Sequence, residues 1–227
     1  MAGACDSIRM KLVSVNAGLP REVSWAGKTV ATSIWKAPVA GRVRVSTLNI
    51  DGDRQSDLTV HGGADKAVYV YPAEHYDYWR RKLPGVELPW GAFGENFTSE
   101  GLAEDSVRIG DRVRIGSAEF AVTQPRLPCY KLGIRFDNPR MVKMFMKSGR
   151  TGFYLAVARE GEVGAGDPIH LDARTGESLS VADIVRLYAT DSENQEMLML
   201  AARLAGLPES WKDYFRKQAA DAAGKLE

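Results

Sequence analysis

Cysteine is scarce in this chain of 227 residues, which contains only Cys5 and Cys129. Two thiols cannot form an all-cysteine zinc site or hold an iron–sulfur cluster that needs four thiolates. A disulfide framework is excluded as well, since Cys5 lies in a terminal segment of the kind that frays. The sequence therefore excludes proteins built on disulfides or on iron–sulfur clusters.

Long hydrophobic runs are missing too. No apolar stretch approaches 18 residues, the length at which a transmembrane helix is indicated. The first ten residues also lack the apolar region of a secretory signal. We therefore expect a cytoplasmic protein without a membrane span.

An excess of charge of either sign is missing as well. Thirty basic residues balance twenty-nine acidic ones, for a formal net charge of +1, so nothing drives the whole molecule toward nucleic acid or an anionic membrane. Nucleotide-binding fingerprints are also missing. The glycine-rich run 161–166 has reversed spacing and precedes a strand, and no phosphate-binding Gly-Lys-Ser/Thr loop or zinc-binding helix motif occurs. Because the net charge is almost zero, any basic site must be local.

Short alternating segments dominate the first 175 residues. They predict strands at residues 9–15, 32–39, 42–45, 66–71, 110–115, 119–123, 153–159 and 166–171. Helices are predicted to start at Pro72 and at Asn138. Many short strands with few helices between them favour a mixed barrel over a doubly wound sheet. The expected fold class is mainly β or α+β, with a barrel-like domain at residues 1–175.

The pattern changes at about residue 176 to that of a small three-helix domain, residues 176–227. Ser180 with Asp183, and Ser192 with Gln195, have the spacing of capping boxes at helix starts. Pro208 is predicted to open the third helix. Helices of this length bury little surface alone, so we expect them to pack on the barrel.

Cys129 has unusual surroundings for a lone thiol. It follows Pro128 at the end of a predicted strand, and Arg126, Lys131 and Arg135 are near in sequence. Positive charge near a thiol favours the thiolate, the form that attacks or binds metals. The alternative is a small buried hydrophobic side chain, which this context makes the weaker interpretation.

Two further loops are rich in polar residues and glycine. Residues 49–66 contain His61 beside Gly62 and Gly63, and residues 90–97 contain Glu95 and Asn96. Loops between strands often carry function. The alternative for His61 is a structural turn, and for Glu95 or Asn96 it is the capping of backbone N–H groups in a tight turn.

Five ordered motifs resemble those of the MOSC family, and within it the YiiM-like branch. They are Ser33-Ile34-Trp35-Lys36-Ala37-Pro38-Val39, Gly52-Asp53-Arg54-Gln55-Ser56-Asp57-Leu58, His61-Gly62-Gly63-Ala64-Asp65-Lys66-Ala67-Val68, Gly94-Glu95-Asn96-Phe97 and Gln124-Pro125-Arg126-Leu127-Pro128-Cys129-Tyr130-Lys131-Leu132. The resemblance covers residues 9–171, and the three-helix tail also fits this branch.

The resemblance implies a barrel-like domain that binds the molybdenum–pterin cofactor (molybdopterin). It makes Cys129 the metal ligand and a catalytic residue, together with His61. The cofactor-binding candidates in the matching motifs are Lys36, Arg54, Arg126, Lys131 and Asn96. An anionic pterin phosphate suits basic side chains and exposed backbone N–H groups, and thiolate is a suitable soft donor to the metal.

The implied activity is reduction of the N–O bond in N-hydroxylated compounds, such as N-hydroxylated purine bases. The chain has no evident electron supply of its own, so we expect an external redox partner, a flavin or iron–sulfur protein. One alternative is a sulfur carrier that holds a persulfide on Cys129. Another is a carrier or sensor of the molybdenum cofactor. Binding of nucleic acid by the last helix is the weakest alternative, because its aromatic residues are expected to face the barrel.

Overall fold

The strands and helices come from a computed structural model that describes residues 10–56, 62–172 and 176–223. The strands are β1 Lys11–Ala17, β2 Arg21–Trp25, β3 Lys28–Thr32, β4 Ala37–Pro38, β5 Arg42–Ser46, β6 Asn49–Ile50, β7 Val68–Pro72, β8 Phe97–Glu100, β9 Arg112–Ile115, β10 Ala118–Pro125, β11 Phe153–Arg159, β12 Gly161–Gly164 and β13 Ile169–Asp172. The helices are α1 Glu74–Lys82, α2 Tyr130–Arg135, α3 Met141–Ser148, α4 Val181–Ala189, α5 Gln195–Arg203 and α6 Glu209–Ala223.

Eight strands form the main sheet, in the order β13-β9-β10-β11-β7-β8-β1-β4. A second sheet has the order β12-β5-β6, and β2 with β3 forms a separate hairpin. The start of β1 also bridges the residues just before β13, where Leu12 N–H donates to the carbonyl of Asp167 at 2.9 Å. The expected α+β fold is confirmed. The contact between β1 and the start of β13 is an isolated bridge and not a continuous ladder, so the described strands do not form a closed barrel.

Several predicted elements differ from the observed ones. The segment 32–39 contains only the last residue of β3 and the two-residue β4, while the hairpin of β2 and β3 was not predicted. Pro72 ends β7 and α1 begins at Glu74, because Ala73 N–H bonds to the carbonyl of Ser99 on the neighbouring strand. The third helix of the C-terminal domain, α6, begins at Glu209, directly after Pro208 as predicted.

A continuous apolar core joins the main sheet to the C-terminal helices. Phe120 and Val122 of β10 share it with Leu187, Trp211 and Phe215 of the helices. Burying each of these side chains contributes about 1.5–3 kcal/mol. The indole N–H of Trp211 also donates to the side chain of Gln124 at 2.8 Å. Trp211 and Phe215 of α6 are buried while Arg216 and Lys217 are exposed, so the predicted packing of α6 on the barrel-like domain is confirmed.

A second apolar cluster lies under α1, α2 and α3. Trp79 and Tyr76 of α1 pack there against Phe93, Phe145 and Leu132. This cluster supports the segment that joins β10 to α2, which contains Cys129. No helix among the described residues is both long and apolar enough to span a bilayer.

Candidate functional site

A cleft lies between the end of β3, the loop after β6 and the segment that joins β10 to α2. It encloses about 630 Å³, including its open mouth. The charged and thiol side chains among its described lining residues are Lys36, Asp53, Lys66, Arg126, Cys129 and Lys131. Four cationic groups therefore surround one carboxylate. The cleft is a local basic site in a chain of almost zero net charge, and it suits an anionic ligand.

Lys36 and Asp53 form a buried ion pair on one wall of this cleft. The ammonium of Lys36 donates to Oδ1 of Asp53, and the two side chains are 8% and 1% exposed. The same carboxylate accepts the backbone N–H of Gly18 and Nδ2 of Asn96, each at 2.9 Å. Burial lowers the pKa of Lys36, although the attraction of Asp53 opposes this shift. These contacts hold the Lys36 ammonium in one place.

The side-chain amide of Asn96 is engaged by protein groups. Its Oδ1 accepts the N–H of Tyr69 at 3.1 Å, and its Nδ2 donates to Asp53 and to the carbonyl of Asn16 at 3.4 Å. Asn96 therefore positions Asp53 and, through it, Lys36. Its predicted role in orienting cofactor or substrate stays a prediction.

Arg126 is almost fully buried at the back of the cleft, with 6% of the residue exposed. Its guanidinium lies 5.2 Å from the ring centre of Tyr69 and 5.3 Å from that of Phe145. Among the described residues, Nη1 of Arg126 and Oγ of Ser33 have no hydrogen-bond partner, and both residues line the cleft. A buried donor without a partner is costly, so these atoms indicate a ligand that accepts hydrogen bonds.

Cys129 is the residue immediately before α2. Its backbone is extended, its carbonyl accepts the N–H of Leu132 at 3.0 Å, and the residue is half-buried in the cleft wall. Lys131, two residues later, is buried, and its ammonium donates to Oγ of Ser56 at 3.1 Å. This contact ties α2 to the loop after β6, so the thiol and two cationic side chains (Arg126 and Lys131) border the same space.

Glu95 stabilises the turn before β8. Its carboxylate accepts the backbone N–H groups of Gly91 at 2.8 Å and Phe93 at 3.1 Å, and the hydroxyl groups of Thr98 and Tyr76. The alternative interpretation of residues 90–97, a tight turn capped by an acidic side chain, is confirmed for Glu95. Burial raises the pKa of Glu95, although its hydrogen bonds oppose the shift.

Most of the predicted site residues come together. The cleft contains Cys129, Lys36, Asn96, Arg126 and Lys131. Arg54 is exposed and is not among the residues that line the cleft, although its neighbours Asp53 and Gln55 are. His61 lies outside the described residues.

Other cleft residues were not predicted as site residues. Lys66 stands in one of the motifs but was assigned no role, and burial lowers its pKa while Asp65 opposes the shift. Tyr69 and Tyr154 face each other across β7 and β11, with ring centres 5.4 Å apart. They are far apart in sequence, so only the strand register reveals their pairing. Ser33 also belongs to a motif, but a single serine carries no signal of its own.

Comparisons with known proteins show which family the chain resembles. The model of the MOSC domain matches residues 57–170, and that of the YiiM-like 3-alpha helix domain matches residues 179–220. The uncharacterized protein YflK of Bacillus subtilis is 40% identical over 210 residues, which cover 92% of this chain and 95% of that protein. The crystal structure of YiiM from Geobacillus stearothermophilus superposes with a TM-score of 0.78 at 36% identity, covering 92% of this chain and 99% of the other.

One relative has a name that describes an activity. A protein of Gibberella moniliformis, called a reductase, is 31% identical over 196 residues, which cover 85% of this chain but 35% of that longer protein. The ordered motifs, the cleft around Cys129 and the three C-terminal helices lead to the same conclusion as these matches. The chain belongs to the MOSC family, in the branch that carries a YiiM-like three-helix domain.

Proposed function

We propose that the protein is a molybdenum cofactor-dependent reductase of N-hydroxylated compounds, such as N-hydroxylated purine bases. The observation that carries the proposal is the cleft itself, in which one thiol stands among cationic side chains and unpartnered buried donors. The name of the Gibberella relative supports a reductive activity.

The residues of the cleft fit a molybdenum–pterin group. Cys129 would hold the metal through a soft sulfur donor, and Lys36, Arg126 and Lys131 would bind the anionic phosphate and pterin groups. Among the described residues, no cluster of three or more His, Cys, Asp or Glu side chains is available to a metal. The bound cofactor would supply a metal that accepts the substrate oxygen and exchanges an electron pair.

The overall reaction converts R–NHOH, two electrons and two protons into R–NH2 and water. The electrons would come from an external flavin or iron–sulfur protein. On the protein side, Asp53 and Asn96 hold the Lys36 ammonium in the wall, and Arg126 keeps an unpaired N–H in the cleft. These fixed donors orient an anionic group without rearrangement, as preorganised sites do. Roles for His61 and Arg54 stay predictions from the family resemblance.

The test is the molybdenum and pterin content of the protein made in cells rich in the cofactor. Wild type and Cys5→Ala, the matched control at the other cysteine, are expected to carry about one metal per chain. Cys129→Ala is expected to lose most of its molybdenum. Wild type should then reduce an N-hydroxylated purine with reduced methyl viologen as the electron source. Absence of metal and pterin from anaerobically handled wild type would contradict the proposal.

The half-buried position of Cys129 also permits a second function, since the thiol borders an open cleft. A sulfur carrier would hold a persulfide there after incubation with a cysteine desulfurase. Mass spectrometry that finds the persulfide on Cys129 of a protein without molybdenum would favour this function over reduction.

A further inference from the structure

Two arginine side chains share one tryptophan, Trp35, whose chain neighbours Ile34 and Lys36 line the cleft. The guanidinium of Arg21 lies 3.6 Å from the ring centre of Trp35, and that of Arg135 lies 5.9 Å from it. Both distances are within the range of cation–π contacts. We call these three residues the arginine rim.

The two guanidinium groups of the arginine rim are close enough for their positive charges to repel each other. Neither Arg21 nor Arg135 forms an ion pair with another described residue, and Nε of Arg135 is buried without a hydrogen-bond partner. Burial and the nearby charge of Arg21 lower the pKa of Arg135, although the charges of Tyr76 and Glu95 oppose the shift. Most other arginines in the sheet and helices pair with acids, as Arg114 does with Asp172 and Arg159 does with Glu119. An anionic group from outside would relieve the repulsion between the two guanidinium groups.

Each member of the rim adjoins the cleft. Trp35 stands between the lining residues Ile34 and Lys36, and Arg135 ends the helix that starts directly after Cys129. Arg21 begins β2, three residues after Gly18, whose N–H binds Asp53. A molecule bound to the rim would therefore lie beside the opening that leads to Cys129.

Two exposed apolar side chains are close in sequence to these charges. Leu19, two residues before Arg21, is 65% exposed, and Tyr130, the first residue of α2, is 54% exposed. A free phosphate would make no use of them, whereas protein interfaces are enriched in Arg, Trp and Tyr. The combination of arginine with exposed leucine and tyrosine fits a protein partner that presents carboxylates around a small apolar contact.

We propose that the arginine rim is the docking surface for the acidic face of an electron-donor protein of the flavin or iron–sulfur class. The inference depends on the proposed reductase function, which requires two electrons from outside for each N–O bond that is reduced. Docking there places the donor next to the cleft instead of at a distant surface. Complementary charge would speed the encounter and make it sensitive to salt, as in other transient electron-transfer pairs.

The test compares two electron sources in the molybdenum-loaded protein. One is an acidic flavodoxin kept reduced by its own reductase, and the other is reduced methyl viologen, a small cation that needs no docking surface. Charge reversal in Arg21→Glu/Arg135→Glu is expected to raise the KM for flavodoxin about tenfold and to flatten its salt dependence. Molybdenum content and the rate with methyl viologen should not change. Arg112→Glu, at an exposed arginine of β9 without a described ion pair, is the matched control and should change neither.

Folding and function are separated by two further measurements. Arg21→Gln/Arg135→Gln removes the charge with little change in shape, so it should also raise the KM for flavodoxin, by less than charge reversal does, and leave the rate with methyl viologen unchanged. Binding of flavodoxin to the metal-free protein at low ionic strength, followed by calorimetry, reports docking without any turnover. If methyl viologen fails to support reduction, the proposed function is wrong, but this binding still decides the role of the rim. Equal flavodoxin binding by wild type and the double Glu variant, or no binding by wild type, overturns the docking proposal.

Discussion

At the scale of single residues, the pair of Lys36 and Asp53 is the most sensitive point of the cleft. The Asp53 carboxylate satisfies the Lys36 ammonium, the Gly18 N–H and the Asn96 amide. Asp53→Ala would leave a buried ammonium and two N–H donors without partners. We expect it to lower the free energy of unfolding by about 3–5 kcal/mol, measured by urea denaturation.

The matched control for this substitution is Asp172→Ala. Asp172 also forms an ion pair, in this case with Arg114, but both side chains are about half exposed. An exposed pair contributes less than about 1 kcal/mol. Equal losses of stability in the two variants would show that burial of the cleft pair has no special energetic effect.

Sequence patterns identified the site residues that have rare chemistry. A lone cysteine between a proline and basic residues stands out, and the family motifs contain Lys36, Arg126, Lys131 and Asn96 in order. The partners of these residues could not be predicted, because they depend on the packing of distant segments. Tyr69 and Tyr154 meet only through the register of β7 with β11, and Asp53 meets Lys36 where Gly18 and Asn96 also bind its carboxylate.

At the scale of elements, the turn of residues 91–95 is held by one buried carboxylate. Because burial raises the folded-state pKa of Glu95 above its ordinary value of 4.5, the native state binds a proton that the unfolded state has lost. In the pH window just above 4.5, Glu95 therefore makes stability fall as the pH rises.

The variant Glu95→Gln removes this titration. We expect the difference in free energy of unfolding between wild type and the variant to shrink as the pH rises from 4.5 to 8, measured by urea denaturation at several pH values. Glu100→Gln, at a half-exposed glutamate of the same chain segment, is the control. A difference that grows with pH would contradict the assigned direction of the pKa shift.

Elements were predicted well where the signal is local. The capping box of Ser180 with Asp183 is present at the start of α4. The second predicted box is wrong, because Asn194 caps α5 and accepts the N–H of Met197. Helix α2 was not predicted, since its six residues are too short to show an apolar period. Its place is set by tertiary packing of Leu132 in the second cluster.

At the scale of the whole molecule, Gln124 connects the helices to the cleft. Its carbonyl oxygen accepts the Trp211 N–H of α6, and its Nε2 donates to the carbonyl of Asp65, beside the cleft residue Lys66. Trp211→Phe keeps most of the apolar area but leaves a buried acceptor without a partner, at a cost of about 1–3 kcal/mol.

We expect Trp211→Phe to unfold in one calorimetric transition with a Tm lower by several degrees, because the helices and the main sheet share one core. The matched control is Tyr188→Phe, since Tyr188 is 37% exposed and its hydroxyl has no hydrogen bond within the described part of the chain. Two separate transitions would mean that the three helices unfold independently of the sheet.

The pairing of β1 with the residues just before β13 has a consequence for synthesis on the ribosome. Leu12 leaves the exit tunnel early, yet its backbone partners Asp167 and Gly166 emerge only when most of the chain has been made. The first strand can pair earlier with β4 and β8, but its hydrogen bonds to the residues just before β13 must wait, so the sheet stays incomplete during that time. Translation speed and chaperone supply should therefore affect the yield of active protein more than the native-state contacts alone suggest.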